Sequence, residues 1–570
     1  MATCWISCYF LRLPGEPAIV STMPESLLGF LDKRRTIAGP GFNRWLVPPA
    51  ALCVHLCIGM AYGFSVFWLP LTRAVGITQP VPCPPSLGLL GRLTTTTYDW
   101  DKPLLGWMYT LFFVFLGSSA AVFGTWLERA GPRKAAVVSA VCWCGGLVIA
   151  AAGVYWHQLW VLWLGSGVIG GIGLGLGYIS PVSTLIKWFP DRRGMATGMA
   201  IMGFGGGAMV GSPLADILMK HFAGPESVGV WQTFLVLAAI YSVFMMVGAF
   251  AYRVPSDGWA PEGWGGVGTE TRASDSGTPA PQQRSFSVRE ACRTRQFWLV
   301  WLVLCLNVSA GIGVIGMASP MLQEVFGGRL LGLDIPFEAL DAAQLGRVAA
   351  MAAGFTGLLS LFNILGRFFW SSLSDWLGRK TTYAIFFLLG IALYSAVPAV
   401  GHAGQIALFC GIFCLIMTMY GGGFAAIPAY LADLFGTGFV GAIHGRLLTA
   451  WSVAGILGPV LVNYVNEQQL RAGVPRAAAY DRTMMLLAGL LAVGFVCNAL
   501  IKPVSPTDME PEAAGVAPRQ SLAPVTSSPG AATAMRPVNL LLLTGFWLFV
   551  TIPMGWGLWA TIRQAAVLFW

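Results

Sequence analysis

The chain has 570 residues, 56% of them hydrophobic and only 10% charged, with a formal net charge of +9. A soluble domain carries roughly 25% charged residues, so most of this surface cannot be wetted. The basic excess lies in short loops between apolar runs, which is where topology signals sit, and this sets nucleic-acid binding aside.

The first 22 residues do not read as a signal peptide. Met1 to Val20 is mildly apolar, but Arg12, Pro14, Glu16 and Pro17 interrupt it, and the order of basic, apolar and small-residue regions is missing. Met23 opens a more ordinary cytoplasmic start, so Met1 and Met23 both stand as candidate first residues. Beyond it, runs of about 20 apolar residues, the length that crosses ~30 Å of hydrocarbon, recur along the chain. They predict spans near 45–70, 104–127, 135–155, 159–186, 195–218, 230–252, 297–320, 349–373, 382–400, 405–431, 442–465 and 483–501. A thirteenth run covers about 538–560. The fold class expected is all-α integral membrane, organised as an N-terminal segment (1–44), a six-helix half (45–253), a Gly/Pro/Ser/Gln-rich linker (254–294), a second six-helix half (295–503), a tail expected to be flexible (504–537) and an extra helix (538–570).

Lys and Arg residues orient the spans. With the N-terminus inside, the inner segments hold 20 of them and the outer loops 9, so both ends of the twelve-helix core are expected in the cytoplasm of a cell bounded by this inner (cytoplasmic) membrane. The 71 glycines, placed inside apolar runs, read as close helix packing rather than disorder. Gly203, Gly207 and Gly211 recur at four-residue spacing ahead of Pro213, and Gly458-Pro459 stands in the matching eleventh span. Cysteines such as Cys142, Cys144, Cys305, Cys410 and Cys414 fall inside spans and read as small hydrophobes. Cys53, His55 and Cys57 are close in sequence, but on a helix His55 points away from the two thiols, so no metal is expected. No nucleotide-binding loop and no nucleophile–base set is present, so neither ATP-driven pumping nor catalysis is expected, and no cofactor.

The two halves repeat. Gly131 and Gly378, Pro181 and Pro428, and Gly194 and Gly441 are each 247 residues apart. Duplicated six-helix units suit a transporter that rocks about a site between its halves.

The loop after the second span reads Gly124-Thr-Trp-Leu-Glu128-Arg129-Ala-Gly131-Pro-Arg133-Lys134, and its second copy keeps Asp375, Gly378, Arg379 and Lys380 with Ser371 in place of Gly124. This resembles the signature loop of the major facilitator superfamily, with Glu128 for the commoner Asp and Pro132 inserted before the basic pair. Read physically, Glu128, Arg129, Gly131, Arg133, Asp375, Gly378 and Arg379 form a conformational latch, in which an acid at one helix end pairs with cations or a neighbouring helix end in one state only. The bland alternative is that they only anchor topology. Three longer stretches are more specific: Gln296-Phe-Trp through Asn307 and Gly311 to Pro320, Tyr420-Gly-Gly-Gly-Phe424 through Pro428 to Asp433, and Gly445-Arg446 through Trp451 to Gly458-Pro459. With Arg253-Val-Pro-Ser-Asp-Gly-Trp259 they are similar to the oxalate/formate antiporter family over about residues 23–503. Leu540 to Trp570 looks like a one-helix small subunit that accompanies some relatives, here fused to the carrier.

Arg367 lies eight residues, or ~12 Å, inside the end of the eighth span, close to the middle of the bilayer. An intramembrane arginine costs on the order of 3 kcal/mol unless it meets a wet cavity or an anion, and its fork suits a carboxylate. A structural pairing with Asn363 one turn earlier is the alternative. The resemblance implies that Arg367 binds the substrate carboxylate. It also implies a lysine in the eleventh span of oxalate exchangers, which is absent from 447–465, where Trp451 takes the facing position. One fixed cation suits formate, lactate or pyruvate better than oxalate. Tyr62, Tyr178, Tyr420 and Trp451 could line the path or merely pack. Asn307 could bond substrate, and His55 could carry a coupled proton or simply pack. The expected function is carboxylate exchange by alternating access, with proton-coupled monocarboxylate symport or a flux-free sensor as alternatives. The expected partners are a small carboxylate and the bilayer, with no nucleic acid, and the carrier is expected to be a monomer.

Overall fold

A computed structural model describes residues 29–77, 81–84, 86–256, 259–261, 285–504 and 540–565. The question of the first residue, most of the linker and the 504–537 tail therefore lie outside the described residues. Thirteen of the described helices are long and apolar enough to cross a membrane, and each overlaps one of the runs read from the sequence.

We number them α1 to α13. In the first half, α1 begins at Val47–Ile58 and continues as a tighter 3₁₀ stretch, Gly59–Phe67, whose first residue, Gly59, is pressed against the Phe204 backbone with no room for a Cβ. Next come α2 (Lys102–Ala130), α3 (Pro132–Tyr155), α4 (Leu159–Trp188), α5 (Arg193–Phe222) and α6 (Val230–Ala251). The second half holds α7 (Arg295–Phe326), α8 (Ala342–Leu377), α9 (Arg379–His402), α10 (Ile406–Phe435), α11 (Val440–Arg471, with a break at Leu448) and α12 (Asp481–Ala499). The last is α13 (Leu540–Ala565).

The helix ends carry the local chemistry that sets them. Asp341 and Gln344 form a reciprocal capping box at the start of α8, and Thr294 caps α7 through the Phe297 amide. Gly131 and Gly378 turn α2 into α3 and α8 into α9 with φ of +87° and +81°, a region that glycine enters without steric cost.

The halves meet along two seams, α2 against α11 and α5 against α8. Small residues make both seams tight. A Cβ on Gly445 of α11 would collide with the Ala120 carbonyl of α2, and one on Gly198 of α5 with the Ser371 hydroxyl of α8. Gly203, Gly207 and Gly211 all face α1, with Leu52, Leu56 and Met60 as their neighbours.

α13 lies across the α5–α8 seam and touches α1. Gly557 sits on the Met209 carbonyl, Thr561 reaches Gly357, and Trp547 donates to the Trp45 carbonyl at 3.2 Å. Phe549 stacks on Phe244 at 4.4 Å, and Val550 is buried with Leu52, Cys53 and Leu56. An apolar cavity of about 280 Å³ remains between α13 and the outer faces of α1, α5 and α6. Deleting residues 535–570 is expected to lower the thermal midpoint in detergent and to slow transport, since lipid replaces this packing only in part. An unchanged midpoint and rate would show that α13 is a passenger.

Candidate functional site

Arg367 is fully buried where the two halves meet. Its Nε donates to Asn363 Oδ1 at 3.2 Å, which is the local pairing expected one turn along a helix. Nη1 crosses the seam to the Ile201 carbonyl of α5, also at 3.2 Å. Nη2 has no partner. Three rings close around the guanidinium, with centroids 5.9 Å (Tyr62), 5.6 Å (Phe204) and 5.6 Å (Phe424) from its carbon. Among the described residues no carboxylate lies within ion-pair distance of it.

The aromatic shell is continuous and comes from both halves. Trp451 of α11 packs on Tyr62, Phe113, Tyr178, Phe204 and Phe424, with centroids 4.5–6.2 Å away. Tyr62 and Tyr420 join the halves through their hydroxyls at 3.3 Å. Tyr178 Oη and Trp451 Nε1 are buried without partners, as Arg367 Nη2 is. The four aromatic candidates therefore come together. Asn307 sits elsewhere, against the Gly423 backbone of α10, while Gly311 one turn on meets the Tyr420 ring.

His55 stands behind Tyr178, its ring 5.4 Å from the tyrosine's. Its two nitrogens face two carbonyl oxygens, Nδ1 at 2.6 Å from Ala200 and Nε2 at 3.2 Å from Tyr178. A neutral imidazole can donate to only one of them, whereas the imidazolium donates to both.

The seam is locked at one face, the one that carries the α2–α3 and α8–α9 turns. Asp375, at the end of α8, accepts from the Gly194 and Met195 amides at 2.8 and 2.9 Å, capping the start of α5 in the opposite half. Glu128, at the end of α2, accepts from the Gly441 amide at 3.2 Å at the start of α11. These are one contact made twice, because 128 and 375 are 247 apart and so are 194 and 441. An anion at a helix N-terminus meets unpaired amides and the positive end of the helix dipole.

The cations around the two acids differ. Arg379 holds Asp375 and also Asp433, the latter at 3.1 Å, and Arg193 reaches Asp433 across the seam at 3.0 Å. On the 247 offset Pro132 occupies the position of Arg379, so it replaces that cation rather than standing as an insertion, and Lys187 of α4 supplies Glu128 at 2.9 Å. Arg133 bonds the Tyr252 carbonyl after α6, and its counterpart Lys380 bonds the Ile501 carbonyl after α12. Both ties stay within one half, and Arg129 is exposed. Phe204, Lys187 and Arg193 had no role read from sequence, and Phe424 and Asp433 stood there only as residues of a family-like stretch. The signal for Phe204 was a lone bulky residue within a glycine stripe.

The comparisons bear on the family and the fold. Residues 51–459 and 346–568 match the family model of the Major Facilitator Superfamily. The chain is 25% identical to the oxalate:formate antiporter of Oxalobacter formigenes over 427 residues, covering 73% of this chain and 83% of that one. It is 26% identical to apicoplast pyruvate carrier 1 of Toxoplasma gondii over 511 residues, covering 79% and 87%. The solved fucose:proton symporter of E. coli superposes with a TM-score of 0.54 at 14% identity, covering 81% of this chain and 100% of that one, and so shares the fold. A duplicated six-helix fold, paired acid–amide locks across the seam and a family match over most of the sequence make this chain a multi-pass membrane transporter belonging to the Major Facilitator Superfamily.

Proposed function

We propose that this transporter carries small carboxylates by exchange, with Arg367 as the partner of the substrate carboxylate. One observation carries the reading: a fully buried guanidinium between the halves has an open Nη2 and, among the described residues, no acid beside it, within an aromatic shell whose Tyr178 Oη and Trp451 Nε1 are also open. A buried cation without a counter-ion is costly, and a carboxylate is the ligand that would offset that cost and accept from the open N–H. The tight aromatic walls favour a small one. The likeness to an oxalate:formate antiporter and to a pyruvate carrier points to the same substrate class.

Alternating access would then run by release of the Asp375 and Glu128 contacts, with the locked face inward by the loop charges and the protein in the inner membrane. A second reading, proton-coupled monocarboxylate symport, would use His55 as the proton carrier, since it stands directly behind Tyr178 of the aromatic shell. Counterflow in proteoliposomes tests both readings. Preloaded formate, lactate or oxalate should stimulate uptake of the labelled acid without net proton movement if the protein exchanges, whereas symport would acidify the lumen in step with uptake. Saturable binding without flux would leave only a sensor.

A further inference from the structure

The cavity beside α13 plays no part in the site around Arg367. It measures about 280 Å³, roughly nine times the ~30 Å³ share of a water molecule, whereas packed interiors leave few voids larger than one water. Its walls include Leu56 and Cys57 of α1, Leu214 of α5, Ile240 of α6 and Trp556 of α13. Gly207 and Gly211 of α5 line it as well and supply no side chain to fill it. The walls present almost no polar surface, because the Cys57 thiol donates to the Cys53 carbonyl at 3.2 Å and the Tyr241 hydroxyl lies against Gly211.

Its depth follows from two helices that start at opposite faces. Leu56 and Cys57 are nine and ten residues past Val47 at the locked face, or about 14 Å along α1. Ile240 and Tyr241 are ten and eleven residues past Val230 at the other face, or about 16 Å along α6. Half of a hydrocarbon layer is ~15 Å, so the cavity lies near mid-depth, where lipid chains reach and headgroups do not. It is also continuous with the lipid-facing surface. Trp556 is 36% exposed, and Ile552 and Trp559, one turn to either side of it, are more exposed still.

We propose that this cavity holds one acyl chain of a bilayer phospholipid, clasped between α13 and the outer faces of α1, α5 and α6. Water and charged substrates are excluded, since apolar walls offer them no partners. A hydrocarbon chain gives up only contact with other chains, and it supplies the wall contacts that an empty void forfeits. Chain length, rather than headgroup chemistry, then decides binding. The chain sits behind moving parts. Gly207 packs on the Leu56 carbonyl and on Gly59, and Gly59 in turn meets the backbone of Phe204, one of the three rings on Arg367. An occupied cavity braces this α1–α5 contact from the lipid side. The inference does not depend on which solute the protein carries.

A phospholipid with a photoactivatable diazirine near the end of one long chain tests this on the full-length protein, with labelled residues mapped by peptide mass spectrometry. After detergent washing, label should persist on residues 207–214 and 240–244. It should be lost around Val493 and Val496, which are exposed on α12 and serve as the reference for ordinary lipid contact. Leu214→Trp fills the cavity from α5 and should reduce its labelling at least about tenfold, as should Ile240→Trp from α6. Ethanolamine and glycerol headgroups on the same chains should label alike, and a dihexanoyl analogue, too short to reach mid-depth, should not label. Cavity labelling that washes out as readily as labelling of α12 would overturn the proposal, whether or not the variants fold. So would unchanged labelling in folded Leu214→Trp, or labelling that follows the headgroup rather than the chain length.

Discussion

Arg367→Gln is expected to reduce carboxylate counterflow at least about 100-fold while the protein stays folded, with a thermal midpoint equal to or above that of wild type. The two halves of that expectation have one cause. Removing one partner of a buried charge pair costs roughly 3–5 kcal/mol, and each 1.4 kcal/mol is tenfold, so the substrate-bound state loses most of its stabilisation. The empty state loses little, because Arg367 has no acid partner there and keeps only the Asn363 and Ile201 bonds. Glutamine can replace one of these and removes an uncompensated charge. Arg367→Lys keeps the charge but gives up the planar fork, so a partial loss, on the order of tenfold, should follow. A variant that unfolds would make Arg367 a structural arginine. A folded glutamine variant with wild-type counterflow would end the carboxylate assignment.

Much of this site was legible because membrane burial makes polar residues conspicuous. Arg367 stands out in an apolar span, and its depth followed from its distance to the Asp375 turn. The helix-end acids that meet amides across the seam were legible because the duplication prints them twice at one offset. What hydropathy cannot express is how deep residues on different helices lie relative to each other. Asn307 and Gly311 share a helix face, yet Gly311 meets Tyr420 of the shell and Asn307 meets Gly423 one turn away. Phe204 and Phe424, which close on Arg367, look in sequence like any lipid-facing phenylalanine. The first span read as one helix, since hydropathy does not distinguish α from 3₁₀ turns such as Gly59–Phe67.

Asp375→Asn is expected to unlock the seam and slow exchange about tenfold or more, by a larger margin than Glu128→Gln. Asp375 satisfies two first-turn amides of α5 with both oxygens and holds Arg379 as well, and it is only 12% exposed. Hydrogen bonds to a charged group contribute about 1.5–3 kcal/mol each, and the amide side chain of asparagine keeps one acceptor and turns a donor toward an N–H or toward Arg379. A bias of about 2–3 kcal/mol against the locked state would follow, enough to shift its population by roughly 30–150-fold. Glu128 takes a single amide and pairs with Lys187, a cation 29% exposed, so water can replace more of what is lost. Spin labels at Arg192→Cys and Trp376→Cys, both exposed and on opposite sides of the Gly194–Asp375 contact, read the opening as a distance. In a cysteine-free background that distance should lengthen in Asp375→Asn and stay short in the parent. An unchanged distance with slowed exchange would mean that Asp375 acts on some step other than closure. The rate should fall even though a contact between the halves has been loosened, because a carrier turns over only as fast as it can visit both states, and a substitution that strands it in one of them removes the return stroke.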